Sequence, residues 1–79
     1  LTTIRYSLAA ASDVALEVYD TQGRLVVQRG LGTQSAGGHT ATFSNPGLRA
    51  GIYLYRLRAA DVLSGRERAT QTGKMLLVR

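Results

Sequence analysis

An all-β fold, two antiparallel sheets packed face to face, is predicted by three features of this 79-residue chain. Apolar residues recur at every second position in several short segments, the period of a strand with one buried and one wetted face. Those segments are rich in β-branched and aromatic residues, which fit a pleated, half-buried surface. Clusters of Gly, Asn, Asp, Ser and Pro interrupt them at intervals of roughly eight to twelve residues, the spacing of a sandwich. Helical periodicity is hard to find: the alanines of "SLAAASDVALEV" are broken by Ser12 and Asp13, and both flanks alternate.

The first segment, about 2–9, alternates Ile4, Tyr6 and Leu8 with Thr3, Arg5 and Ser7. The second, 13–20, sets Val14, Leu16 and Val18 against Ala15, Glu17 and Tyr19, so Glu17 is expected on the wet face. Asp20, Thr21, Gln22 and Gly23 then suit a type I turn whose glycine takes positive φ, closing a bulged hairpin into a third segment, 24–32. Gly37 and Gly38 break the chain before 38–44, where His39, Ala41 and Phe43 share a face. Pro46 fixes its own backbone and restricts Asn45, marking another turn. In 51–60, Tyr53, Tyr55 and Leu57 fall in phase. After "VLSGRER" come 66–72 and 74–79, read as two strands or as one bent strand with a bulge near Gly73. The expected fold is an Ig-like antiparallel β-sandwich of about seven strands. Its expected core is Ile4, Leu8, Val14, Leu16, Val18, Leu25, Val27, Phe43, Tyr53, Tyr55 and Leu57.

So short a chain makes one domain, residues 1–79, with a modest core. It lacks cysteine, so disulfides and thiolate metal sites are excluded. Ten Lys+Arg against five Asp+Glu give a net charge of +5, and Lys74 is the single lysine. The cations are scattered, which fits alternating solvated faces; a nucleic-acid binder concentrates them on a stripe with stacking aromatics between. No apolar run approaches the roughly 20 residues of a membrane-spanning helix, and none resembles a secretory leader. The chain opens directly on a strand-like segment and is expected to be a C-terminal module excised from a longer protein.

Candidate chemistry is sparse. His39, the single histidine, has no accompanying cysteine for a zinc site and reads as structural. Asp13 and Glu17 share a strand face, yet a domain of this size offers little cleft to hold a sugar between two carboxylates. Asp20 is explained as a turn residue. The serines lie outside any nucleophile-elbow pattern, and the glycines form turns rather than a phosphate loop. No catalytic residue, metal site or cofactor is expected. Sugar binding normally uses exposed aromatic platforms, and without tryptophan only Tyr19 is a candidate.

Three motifs together resemble the C-terminal sorting domains of the type IX secretion system, carried by cargo proteins of the Bacteroidota, and less tightly the Ig-like domain of flagellar hook-capping proteins. The first is "IRYSL…VALEVYDTQGR", with Tyr19, Asp20, Gly23 and Arg24 at the hairpin. The second is "LRAGIYLYRL", with Gly51, Tyr53 and Tyr55. The third is the closing run Lys74, Met75, Leu76, Leu77, Val78 and Arg79, an apolar strand between basic residues. Departures are Ala9, where the family often has proline, the missing Asn-Pro-rich lead-in, and the long polar "VLSGRERATQTG", which leaves the final register open.

The resemblance implies a non-catalytic export address. Its partners would be the outer-membrane translocon and sorting machinery, together with N-terminal cargo domains. The protein would cross the periplasm in transit and end on the cell surface or in the medium. An edge strand suits that role, because its unpaired backbone groups can be paired by strand addition. The partner-recognition residues are then 74–79. The alternatives are an Ig-like spacer of a secreted enzyme or adhesin, and a carbohydrate-binding module.

Overall fold

The computed structural model describes residues 2–44 and 47–77. Six strands follow one another: β1 (Thr2–Leu8), β2 (Ser12–Tyr19), β3 (Leu25–Gln34), β4 (Gly37–Phe43), β5 (Gly51–Asp61) and β6 (Glu67–Leu77). The expected turn at Asn45 and Pro46 lies outside the described residues, as do Val78 and Arg79.

β1 and β4 form a two-stranded antiparallel sheet, with Ile4 opposite Ala41 and Thr2 opposite Phe43. The other sheet has the order β3-β2-β5-β6, antiparallel throughout. Ile4, Tyr6 and Leu8 of β1, with Ala41 and Phe43 of β4, are buried against Val14, Leu16, Val18, Tyr53, Leu57, Ala59, Met75 and Leu77. The alternation is the one read from the sequence, and burying one side chain in two leaves the intervening residues wet.

Most of the expected core is buried, and Val27 and Tyr55 are half-buried against it. Leu25 is the exception, 48% exposed. Val18 pairs with Val27 but Tyr19 pairs with Leu25, so Val26 is an extra residue and the bulge carries Leu25 onto the outer face.

The final segment is one strand, not two, and the bulge expected near Gly73 is elsewhere. The register shifts between Ala59 and Ala60, where Arg68 is the extra residue. At Gly73 the pairing with Tyr55 is regular. The glycine has a packing reason: a Cβ there would lie 2.6 Å from the Tyr55 ring. The ring occupies the space that a side chain would need.

Two hairpins, β2–β3 and β5–β6, flank the central β2–β5 pair, and their turns lie at opposite ends of the sheet. In the first, Gly23 takes φ 82°, as expected, and donates its N–H to the Asp20 carbonyl at 3.0 Å. Asp20 Oδ1 accepts the N–H groups of Gln22 (2.9 Å) and Arg24 (3.0 Å). In the second, Asp61 Oδ1 accepts those of Leu63 (2.8 Å) and Ser64 (3.0 Å), while Oδ2 pairs with Arg68. Gly65 donates to the Asp61 carbonyl at 2.9 Å. The long polar stretch thus resolves into a tight turn and the first half of β6.

Candidate recognition surface

β6 is an outer strand of the four-stranded sheet, and within that sheet β5 is its neighbour. Its pairing is regular from Ala69 to Leu77. β3, the outer strand opposite, is interrupted twice, with Leu31 and Val26 as extra residues. Bulges twist an edge away from incoming strands, so β3 is guarded and the upper part of β6 is not.

Residues alternate along β6. Met75 and Leu77 are 4% and 6% exposed and belong to the core, whereas Lys74 and Leu76 point to the outer face. Of the six candidate recognition residues, two therefore support the fold, two face outward, and Val78 and Arg79 lie outside the described residues. Lys74 makes no ion pair among the described residues, whereas Arg24, Arg56, Arg58 and Arg68 are all paired.

Cross-strand register joins the three sequence motifs. Leu25, Tyr19, Leu54 and Lys74 form one row across all four strands, and Ile52 faces Leu76 two positions further on. Residues directly opposite in antiparallel strands share a face and touch, so these six make one outer surface. A groove of about 500 Å³ beside it is lined by Tyr19, Gly23, Leu54, Arg56, Gly73 and Lys74, among others. Among the motif residues, Asp20 and Arg24 hold the adjoining hairpin through an Nε–Oδ2 pair of 2.9 Å. Tyr53 donates its hydroxyl to the Arg49 carbonyl at 2.8 Å, anchoring the start of β5, and Gly51 pairs with Leu77. Tyr55 accepts a hydrogen bond from Gln71 Nε2 at 3.2 Å, and the same amide donates to the Arg5 carbonyl of β1.

Glu17 departs from expectation. It occupies the outer face, as its phase requires, yet is 6% exposed. Arg56 Nε and Arg58 Nη1 lie 3.0 and 3.6 Å from its carboxylate. Arg56 also donates to the Tyr19 hydroxyl at 2.7 Å and lies 5.5 Å from the centre of its ring. Two long arginine stems thus cover a carboxylate on a central strand, a covering that period-two reading does not see. The same contact covers Tyr19, the one candidate sugar platform. Tyr6 and Tyr53 are buried.

Several groups shape the site without being legible as site residues. Ile52 and Leu54 are 53% and 42% exposed, beside Leu76, already a candidate from the sequence, at 61%. The signal was present in "GIYLYRL", which is apolar on both phases, more than one buried face can use. Asp61 plays at the second hairpin the part that Asp20 plays at the first, with its glycine four residues on instead of three. The backbone N–H of Ser64 and the Arg68 guanidinium hold its carboxyl down to about 2. The Arg24 backbone N–H foremost lowers Asp20, and the Thr70 hydroxyl, then Arg58, lowers Glu67. Among the described residues no group of three or more potential ligands could hold a metal ion, and no helix is long and apolar enough to cross a membrane.

A family model described as the secretion system C-terminal sorting domain matches residues 1–67. The match contains the first two motifs and ends at the first residue of β6, so the closing run stands outside it. No curated protein and no solved structure matches the chain. With two of the three motifs inside the match and more than half the chain covered, the conclusion is that this protein belongs to the secretion system C-terminal sorting domains, the signals that send cargo to the cell surface or the medium by type IX secretion.

Proposed function

We propose that this domain, carried behind N-terminal cargo, is read in the periplasm by the outer-membrane translocon and its sorting machinery through β6 and the residues that follow. The recognition segment is Lys74, Met75, Leu76, Leu77, Val78 and Arg79. Lys74 and Leu76 face the partner; Met75 and Leu77 fix the strand in the sheet. Tyr19, Asp20, Gly23, Arg24, Gly51, Tyr53 and Tyr55 support it by holding the neighbouring hairpin and the start of β5. The observation that carries this reading is the asymmetry between the outer strands of the four-stranded sheet, β3 bulged twice and β6 regular over nine residues from Ala69 to Leu77. Strand addition needs an unbroken row of backbone groups, and the regular run of β6 is longer than the seven-residue pairing of β1 with β4.

The test is a reporter fused ahead of the domain in a bacterium with type IX secretion, followed by cell fractionation. Deleting 74–79 would also remove Met75 and Leu77 from the core, so it cannot separate folding from recognition. Thr72→Lys is the better variant, because Thr72 is exposed and charged side chains guard edges against pairing. The fusion is expected to keep its melting temperature and to accumulate in the periplasm. Export at the original level would refute recognition by the β6 edge.

A further inference from the structure

Lys74 makes no ion pair among the described residues and sits in an apolar setting. Its cross-strand neighbour is Leu54, its neighbour two places along the strand is Leu76, and Ile52 and Tyr19 complete the surroundings on the same face. Exposed apolar residues scattered singly need no explanation, but a contiguous set across four strands marks an interaction surface. The nearest arginines are already neutralised, Arg24 by Asp20 and Arg56 by Glu17. Among the described residues, this face then presents the Lys74 ammonium framed by leucine, isoleucine and tyrosine.

We propose that this surface docks an extended partner segment that sets a carboxylate against Lys74 and, two residues along, an apolar side chain against Leu76. The proposal rests on the reading of β6 as the recognised edge and adds the chemistry of what pairs with it. A strand laid alongside β6 brings its alternate residues onto this face, and the two opposite Lys74 and Leu76 are necessarily two apart. Opposite charges and apolar pairs are favourable at directly opposed positions, and like charges are not. The occupant is therefore acidic and apolar in alternation. A second copy of this chain fits poorly, since each copy carries +5 and would bring its own cations to the contact. A membrane surface fits poorly too: attraction to anionic lipid calls for a cluster of free cations, and among the described residues this face offers Lys74 alone.

The experiment uses the reporter fusion in secreting cells. A photo-crosslinking amino acid replaces Leu76 in one variant and Leu54 in another, with Thr42 on the outer face of the two-stranded sheet as the control. The crosslinked peptide is then sequenced. Expected from Leu76 and Leu54, and not from Thr42, is a peptide with Asp or Glu two residues from an apolar side chain. Lys74→Glu is expected to reduce both the crosslink and export by roughly tenfold or more, since like charges at an interface are strongly unfavourable. Lys74→Arg is expected to keep both, with the melting temperature unchanged in either variant. A crosslink to a second copy, to lipid or to a peptide without a carboxylate overturns the proposal, as does no crosslink or a harmless Lys74→Glu. The two readings fail separately. Loss of export in Thr72→Lys with none in Lys74→Glu leaves the edge read and this surface not; the converse leaves the surface read without strand addition.

Discussion

Asp20 and Asp61 each close a hairpin by collecting the backbone N–H groups just ahead of them. The work is done by the charged form, which makes it sensitive to acid. Asp61 has an ordinary value of 3.8 and lies at about 2 in the folded chain, so the folded state binds its proton less tightly than the unfolded one. Its contribution is complete above about pH 4 and is lost as pH falls toward 2. Asp20 and Glu67 are shifted in the same direction. The melting temperature of the domain should fall through that window, and Asp61→Asn should flatten part of the fall while lowering the plateau. A second prediction concerns Gly73, whose missing Cβ leaves room for Tyr55. Gly73→Ala should destabilise by about 1–3 kcal/mol, the usual range for overpacking. Combined with Tyr55→Leu it should cost less than the sum of the two single changes, because they share one contact. Of these residues, Asp20 and Gly23 were legible, since turn chemistry is local. Gly73 was misread as a bulge because its reason lies on another strand, and Glu17 was misread as wet because its cover comes from β5.

At the scale of elements, alternation recovered nearly every strand and most of the buried face. It failed where a strand departs from strict period two. Leu25 was assigned to the core because the phase of Val27 was carried across a bulge, and nothing in "GRLVV" shows where an extra residue falls. The count of six or seven strands hinged on Gly73, and the answer is that β6 runs through it. The outer surface was legible only as an excess: β5 is apolar on both phases, and one phase was absorbed by the core. Leu16 and Leu57, opposite each other on the two central strands, are 2% and 3% exposed. Truncating either to alanine should cost about 2–5 kcal/mol, measured by denaturant unfolding. Leu54→Ser, one strand residue away from the core, should change stability far less, and the contrast checks the assignment of faces.

The molecule as a whole is a slab, 37 × 22 × 17 Å. Its carboxylates are committed to arginines or turns, with Asp13 accepting from Thr33, while Arg5, Arg29, Arg49, Arg66 and Lys74 make no ion pair among the described residues. Those free cations are spread over the surface, as the scattered sequence positions suggested, and Arg29 lies against the Phe43 ring. A surface of this kind suits binding by shape and register. In β6 the even positions Lys74 and Leu76 look outward while the odd positions Met75 and Leu77 look inward. On the proposed reading of β6, two kinds of selection act on interleaved letters of one short word. Drift at the even letters can retune which partner reads the signal without touching the hydrophobic interior. Drift at the odd letters is judged by folding before any reader is met, so a misfolded signal is silenced at source.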